Sequence, residues 1–454
     1  MTVDRSKPTC SRRAVLKWMG LTSSAALLAA CTPAAPQTQT GESPAEGAPA
    51  GEGALAGTLS VLTCCYTPPE VELREAFNAK FAEEYPGATV EMELLPAGQN
   101  YFEKLQTLFA ANTAPDLFDM WEGYIQPYAA NGALLNMDPF LEADGEISKE
   151  DLLPAAVEAA SWQGSIYALS IGFMPGPISI YFNTAHFDAA GVEYPSAEWT
   201  WDQMREAARA LTADTNSDGV PDQWGLAFEL WFVPWLYWIW SNGGDVFNEE
   251  ETRCILTEPP AVEAIQYWAD LVLEEVALPP SMAQSMQGTL NAFQTGAVSM
   301  YLGNTWDVAT LKEAQDLPWK AVLSPKANNG NRIWYEHFWC WAISTQSQKQ
   351  ELAWQYARDF VLERVIDPAT PTIPPLQQLL DTFDTPTNRE LGYTPLISLA
   401  TEPDQFRIPG SGAKWDKISG IIQAELDLVF LGEQTAAQAA ENACPKVDEE
   451  LARA

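Results

Sequence analysis

Asp214, Asn216, Asp218 and Asp222 put oxygen side chains at the first, third, fifth and ninth positions of "DTNSDGVPD", with Gly219 at the sixth. That spacing is the first part of a calcium loop. Gly219 permits the turn, and the Val220 carbonyl can serve as a further ligand. Gly225 stands where the closing glutamate is usual, so another carboxylate or water must complete the shell. The competing reading is an Asx-rich turn; the spacing favours Ca2+.

Other chemistry lacks its usual parts. His186 and His337 are the only histidines, and the chain has no H-E-x-x-H, G-x-S-x-G, P-loop or G-x-G-x-x-G. A zinc enzyme, serine hydrolase or nucleotide enzyme would have to be built without them. Carboxylates are too abundant for one acid/base pair to stand out, so a glycosidase pair stays open. Aromatic residues are the strongest signal: 18 Trp, 14 Tyr and 18 Phe. Indole faces stack on the C–H faces of sugar rings, leaving the hydroxyls to carboxylates and amides. For any single Trp, core packing competes with that role.

The start of the chain predicts export. Arg5, Lys7, Arg12, Arg13 and Lys17 precede an apolar run from Leu21 to Ala30, the layout of a signal peptide. Ser11-Arg12-Arg13-Ala14-Val15-Leu16-Lys17 resembles a twin-arginine signal, with Val15 in place of the usual Phe. Leu28-Ala29-Ala30-Cys31 resembles a bacterial lipobox, which implies lipidation and cleavage at Cys31. Residues 32–57 are mostly Ala, Pro, Gly, Thr, Gln, Ser and Glu, a composition that predicts a disordered linker. Such a tether spans roughly 25–30 Å. No later run is long enough to cross a membrane; Trp231–Trp240 is the most apolar and contains Pro234.

The net charge of -36 disfavours nucleic acid and anionic lipid surfaces. Cys64, Cys65, Cys254, Cys340 and Cys444 remain beyond the leader, without metal spacing. Cys64 and Cys65 can bond each other only through a strained ring. The expectation is that one pairs elsewhere, or that both stay reduced and buried.

Elements that could position a site read clearly. Residues 58–63 alternate as a strand. Thr67, Pro68 and Glu70 form a helix start, followed by an apolar stripe of Leu73, Phe77 and Phe81. Strands are predicted over 89–95 and 115–120, with a helix over 101–112 between them. Thr200-Gln203, Ser347-Gln350 and Thr435-Gln438 read as further helix starts. This alternation means an α/β layer with a largely parallel sheet.

Five stretches, in order, resemble a known family: "FAEEYPGATVEM", "APDLFDMWEGYIQPYAANGALLNM", "GSIYALSIGFMPGPISIYFNTAHFDAAGVEYPSAEWTWDQM", "AFQTGAVSMYLGNTWDV" and "AISTQSQKQELAWQYARDFV". The chain resembles a family-1 extracellular solute-binding protein of an ABC importer, of the maltose-binding type. Ser170, where proline is common, and Thr63-Cys64-Cys65-Tyr66 depart from the pattern. The resemblance implies a two-lobed periplasmic-binding-protein-like fold (type II), with the ligand cleft between lobes joined by crossing strands. Residues 58–169 and 325–380 would form the N-terminal lobe, and 170–324 and 381–454 the C-terminal lobe. Crossings are expected near Ser170 and near Leu323-Ser324-Pro325. The calcium loop would be structural.

On that pattern the ligand-binding candidates are Tyr66, Trp121, Glu122, Tyr124, Trp231, Trp235, Trp306, Asp307, Glu336, His337 and Trp415. Trp121, Glu122 and Tyr124 follow the end of a strand, where open α/β sheets bind ligands. Trp231, Trp235 and Trp238 lie on one helical stripe, so core packing competes evenly with contact to ligand. His337 is expected to hydrogen-bond rather than hold metal.

The implied function is capture of a carbohydrate, an oligosaccharide, by an exported lipoprotein on the outer face of the cytoplasmic membrane. Its partners would be the permease subunits of an ABC transporter. The protein would be a monomer, perform no chemistry and bind no nucleic acid. The alternatives are an extracytoplasmic carbohydrate-active enzyme and a binding protein for a polyol phosphate. The candidates include no Arg or Lys, which disfavours the phosphate. Two histidines disfavour a metal carrier, and an acidic cleft disfavours anionic siderophores.

Overall fold

The computed structural model describes residues 55–66, 68–95, 101–366, 370–399, 405–409 and 414–453. The predicted export signal, Cys31, nearly all of the predicted linker, the predicted Thr67 cap and residues 410–413 before Trp415 lie outside the described residues.

Twelve strands form two main sheets and a hairpin among the described residues. In chain order they are β1 (Gly57–Cys64), β2 (Ala88–Leu95), β3 (Leu117–Trp121), β4 (Ser161–Trp162), β5 (Ser165–Ile166), β6 (Leu169–Gly176), β7 (Ser179–Asn183), β8 (Trp224–Phe228), β9 (Val298–Gly303), β10 (Trp319–Leu323), β11 (Trp334–Ile343) and β12 (Phe406–Arg407). The first sheet runs β2-β1-β3-β11-β12, with β6 also paired to β11. The second runs β10-β7-β9-β8. β4 and β5 pair only with each other.

β1 and β2 are parallel, so a helix must carry the chain back between them. That helix, Pro68–Glu84, turns its Phe77 and Phe81 onto Tyr356 and Phe360 of the helix Gln350–Leu362. The predicted stripe thus faces a second helix. The capping boxes Thr200/Gln203 and Thr435/Gln438 form as read. Ser347 does not cap its helix, which starts at Gln350 after Lys349. Its hydroxyl donates instead to Asp116 (2.7 Å), a partner distant in sequence.

β6 and β11 join the two lobes. They pair antiparallel from Tyr335 opposite Gly176 to Trp341 opposite Leu169, with a bulge between Trp339 and Cys340. β6 passes through a cis Gly176–Pro177 bond towards β7 of the second sheet. β11 follows β10 of the second sheet, and its far half pairs with β3 from Trp339 opposite Trp121. One end of β11 therefore belongs with the second lobe, and the other lies inside the first sheet.

Much of the aromatic content is core. Trp238 lies flat on Trp268 (4.7 Å between ring centres), and Phe228 and Phe430 close around them. Removing a buried Trp of this kind costs about 3–5 kcal/mol.

The cysteine expectation is corrected. Cys64 and Cys65 are bonded to each other, and Cys254 is bonded to Cys444. Cys340 is free and buried. Local spacing hid the second bond, because it ties Cys254 to the last helix, Ala436–Ala452, where Asp448 also accepts from the Cys254 N–H (2.7 Å).

Candidate functional site

β3 ends at Trp121, whose extended backbone (φ -109°, ψ 155°) delivers Glu122 as the first residue of the helix Glu122–Ala130. A carboxylate in a first turn is favoured by the helix dipole. Glu122 is buried and holds β11 by three contacts. Its Oε2 accepts from the Phe338 N–H (3.0 Å), its Oε1 lies 3.2 Å from His337 Nδ1, and it accepts from the Tyr335 hydroxyl. Side chains alternate along a strand, so Tyr335, His337 and Trp339 share one face.

His337 is the centre of a run of rings from both lobes. Trp121 of the first lobe lies 6.0 Å from it, and Trp306 of the second lies 6.1 Å away. Trp231 continues the run 6.3 Å from Trp306. Trp339, the cross-strand partner of Trp121, is 6.1 Å from His337, and Tyr66 is 4.9 Å from Trp339. The indole N–H groups of Trp121 and Trp339 are buried and have no acceptor among the described residues. Tyr124 stacks flat on Phe102, which packs against Trp121.

The second-lobe side is fixed by Asp307. Its Oδ2 accepts from the Asn304 N–H (2.7 Å) and the Tyr301 hydroxyl (3.1 Å), which closes the turn carrying Trp306. Burial, with repulsion from Glu229, pushes the Asp307 carboxyl up to about 7. Gly176 admits this turn. A Cβ there would stand 2.4 Å from Asn304 Oδ1 and 3.3 Å from the Trp306 ring. Trp231 donates its indole N–H to Glu229 (2.8 Å), whose carboxyl burial also raises. A cavity of about 470 Å³ adjoins them, lined by Glu229, Trp231, Gln284 and Thr289 among others.

The first-lobe side rests on Asp119. It accepts from the Cys64 N–H (3.1 Å), the Tyr66 hydroxyl (2.9 Å) and the Thr63 hydroxyl. Burial pushes its carboxyl up to about 6, against the pull of Arg74. The Arg74 guanidinium lies over the Tyr66 ring at 3.4 Å.

The structure thus brings together Tyr66, Trp121, Glu122, Trp231, Trp306 and His337. Four other candidates are engaged in packing or hydrogen bonds of their own. Trp235 is 1% exposed and donates to Gln423 (3.1 Å). Trp415 is packed among Phe232, Trp235 and Phe247. The Asp307 side chain is spent on its own turn. Glu336 is buried on the opposite face of β11, where burial and the nearby Glu158 carboxylate raise its own carboxyl. Trp339, Tyr335, Asp119, Arg74 and Glu229 were not singled out from the sequence. The alternation of "WYEHFW" was the available signal for Tyr335 and Trp339.

In the loop 214–222 the oxygen side chains bind the loop itself. Asp214 accepts from Ser217 and Gly219 N–H groups (2.7 and 2.8 Å), and Asp218 from that of Val220 (2.9 Å). Asp222 accepts from the N–H and hydroxyl of Thr215 (2.9 and 2.7 Å), from the Asn216 N–H (3.0 Å) and from the Asn216 amide (2.8 Å). The Thr215 hydroxyl contributes most to lowering the Asp222 carboxyl. Among the described residues no three His, Cys, Asp or Glu side chains converge as a metal site.

The sequence profile of the bacterial extracellular solute-binding proteins matches residues 67–362. A protein of Brucella abortus, described as a binding protein, is 25% identical over 299 residues, 64% of this chain and 68% of its own. Among solved structures, an ABC substrate-binding protein from Listeria monocytogenes in complex with cycloalternan is similar at a TM-score of 0.71 and 26% identity, over 86% of this chain and 98% of that one. Maltose-bound MalE3 of T. maritima shares the fold, at a TM-score of 0.71 and 17% identity over 86% and 98%. With the profile covering more than half of its length, the chain belongs to the bacterial extracellular solute-binding protein family.

Proposed function

We propose that the protein captures a neutral oligosaccharide outside the cytoplasm and presents it to an ABC transporter permease. The observation that carries this reading is the position of His337 between Trp121 of one lobe and Trp306 of the other. A sugar lying along these rings touches both lobes, and a ligand favours a closed form only through such differential contact. Flat indole faces suit pyranose rings. The cavity beside Glu229 and Trp231 gives room for a further glycosyl unit. The Listeria relative is complexed with cycloalternan, which supports an oligosaccharide over a monosaccharide.

A thermal-shift panel of maltose, maltotetraose, cycloalternan and glycerol phosphate tests the reading. A sugar at 100 times its Kd adds about 2.7 kcal/mol of stability. A response to glycerol phosphate alone contradicts it, and so does turnover of a bound oligosaccharide by the purified protein.

Two further proposals rest on sequence motifs. The lipobox and linker support anchoring through lipid on Cys31 at the outer face of the cytoplasmic membrane. Recovery of Cys31→Ala with the mass of a lipidated mature chain contradicts this. The spacing of Asp214, Asn216, Asp218, Val220 and Asp222 supports a structural Ca2+, which would have to displace the Asn216 amide from Asp222.

A further inference from the structure

We propose that the Cys64–Cys65 disulfide is a positioning element of the ligand cleft, which holds Cys65 in a left-handed backbone conformation and so seats Tyr66 against Trp339. The role in the cleft rests on the function proposed above.

β1 ends at Cys64, opposite Leu95 of β2, and the Cys65 N–H continues the ladder onto the Leu95 carbonyl (3.1 Å). The chain must then turn sharply off the sheet. Cys65 makes that turn at φ +70°, a region that residues with a Cβ rarely enter. A bond between adjacent cysteines closes a small ring around the intervening peptide, which removes most alternative backbone conformations. The next residue, Tyr66, then lies between the Arg74 guanidinium (3.4 Å) and the Trp339 indole (4.9 Å). Its hydroxyl reaches both Asp119 oxygens (2.9 and 3.0 Å), and the Cys64 N–H donates to the same carboxylate (3.1 Å). Cys64 and Tyr66 are therefore keyed to one buried acid near the Trp121 end of β3. Opened, the ring would free Cys65 to return to an extended conformation, and Tyr66 would leave Trp339.

Two double variants separate backbone positioning from other roles. Cys64→Ser/Cys65→Ser removes the ring. Cys64→Ala/Cys65→Gly also removes it, but glycine enters the left-handed region freely. Cys254–Cys444 is intact in both. The first readout needs no ligand: NMR of ring-labelled tyrosine, with Tyr66 assigned through Tyr66→Phe. The ring current of the tilted Trp339 indole shifts the Tyr66 signal in the native protein. The serine pair should lose that shift, and the alanine–glycine pair should keep most of it. The second readout is affinity for maltotetraose and cycloalternan by calorimetry. The serine pair should bind about tenfold more weakly, and the alanine–glycine pair within about threefold of the native protein. A serine pair with the native Tyr66 shift and native affinity overturns the proposal. If the native protein binds neither sugar, the ligand reading fails, and the Tyr66 signal still decides the positioning.

Discussion

Oε1 of Glu122 stands 3.2 Å from Nδ1 of His337, a contact between a helix of the first lobe and the strand that connects the lobes. The same carboxylate receives the Phe338 N–H and the Tyr335 hydroxyl. The orientation of the central ring of the cleft is thus set by an acid at a helix start.

Glu122→Ala leaves these buried donors without their acceptor. We expect a loss of about 2–4 kcal/mol in stability, with weaker sugar binding. Glu122→Gln keeps an acceptor oxygen and should lose less of both. Urea unfolding and calorimetry measure the two effects. Native stability in Glu122→Ala contradicts this role.

The raised carboxyl of Asp307 gives a pH dependence with a definite sign. The folded state holds this proton up to about pH 7, whereas an unfolded aspartate releases it near its ordinary value of 3.8. Its contribution to stability is present at low pH and is lost as pH rises through about 7. Asp307→Asn mimics the protonated form and should be about 1–3 kcal/mol more stable than the native protein at pH 8, with the gap closing towards pH 5. A constant gap across that range contradicts the assignment.

What was legible in the sequence followed the range of the interactions. The stripe Phe77–Phe81 and the capping boxes at Thr200 and Thr435 are settled within a few residues, and they form as read. Ser347 had an equally good local pattern, but Asp116 claimed its hydroxyl. Trp121, Trp306 and His337, named from sequence, meet in one cluster. Trp235 and Trp415 have the same ring chemistry but lie in the second-lobe core, since residue type does not report burial. Asp119 was read only as part of a strand. Its importance comes from Thr63, Cys64, Tyr66 and Arg74, which the sheet brings to it.

The Cys254–Cys444 bond closes a loop with a sequence separation of 190. Long loops gain most from closure in the chain-entropy account. Cys254→Ala/Cys444→Ala should lower stability by about 2–5 kcal/mol while leaving sugar affinity close to native, because the bond lies in the second-lobe body. A native melting temperature for this variant contradicts the expectation.

Calcium at Asp214–Asp222 predicts a higher melting temperature with added calcium than with chelator. Asp218→Ala should abolish the difference. Identical melting in calcium and chelator rejects the site and leaves a loop closed by its own hydrogen bonds.

The central claim is that one ligand spans Trp121 and Trp306 across His337. Affinity and folding stability of Trp121→Ala and Trp306→Ala test it directly, with the sugar that gives the largest shift in the panel. Each stacked ring contributes on the order of 1–3 kcal/mol by burial. Affinity should therefore fall by roughly one to two powers of ten in each variant, with folding stability largely kept. Loss of about 3–5 kcal/mol of stability with native affinity would make both rings structural and contradict the account.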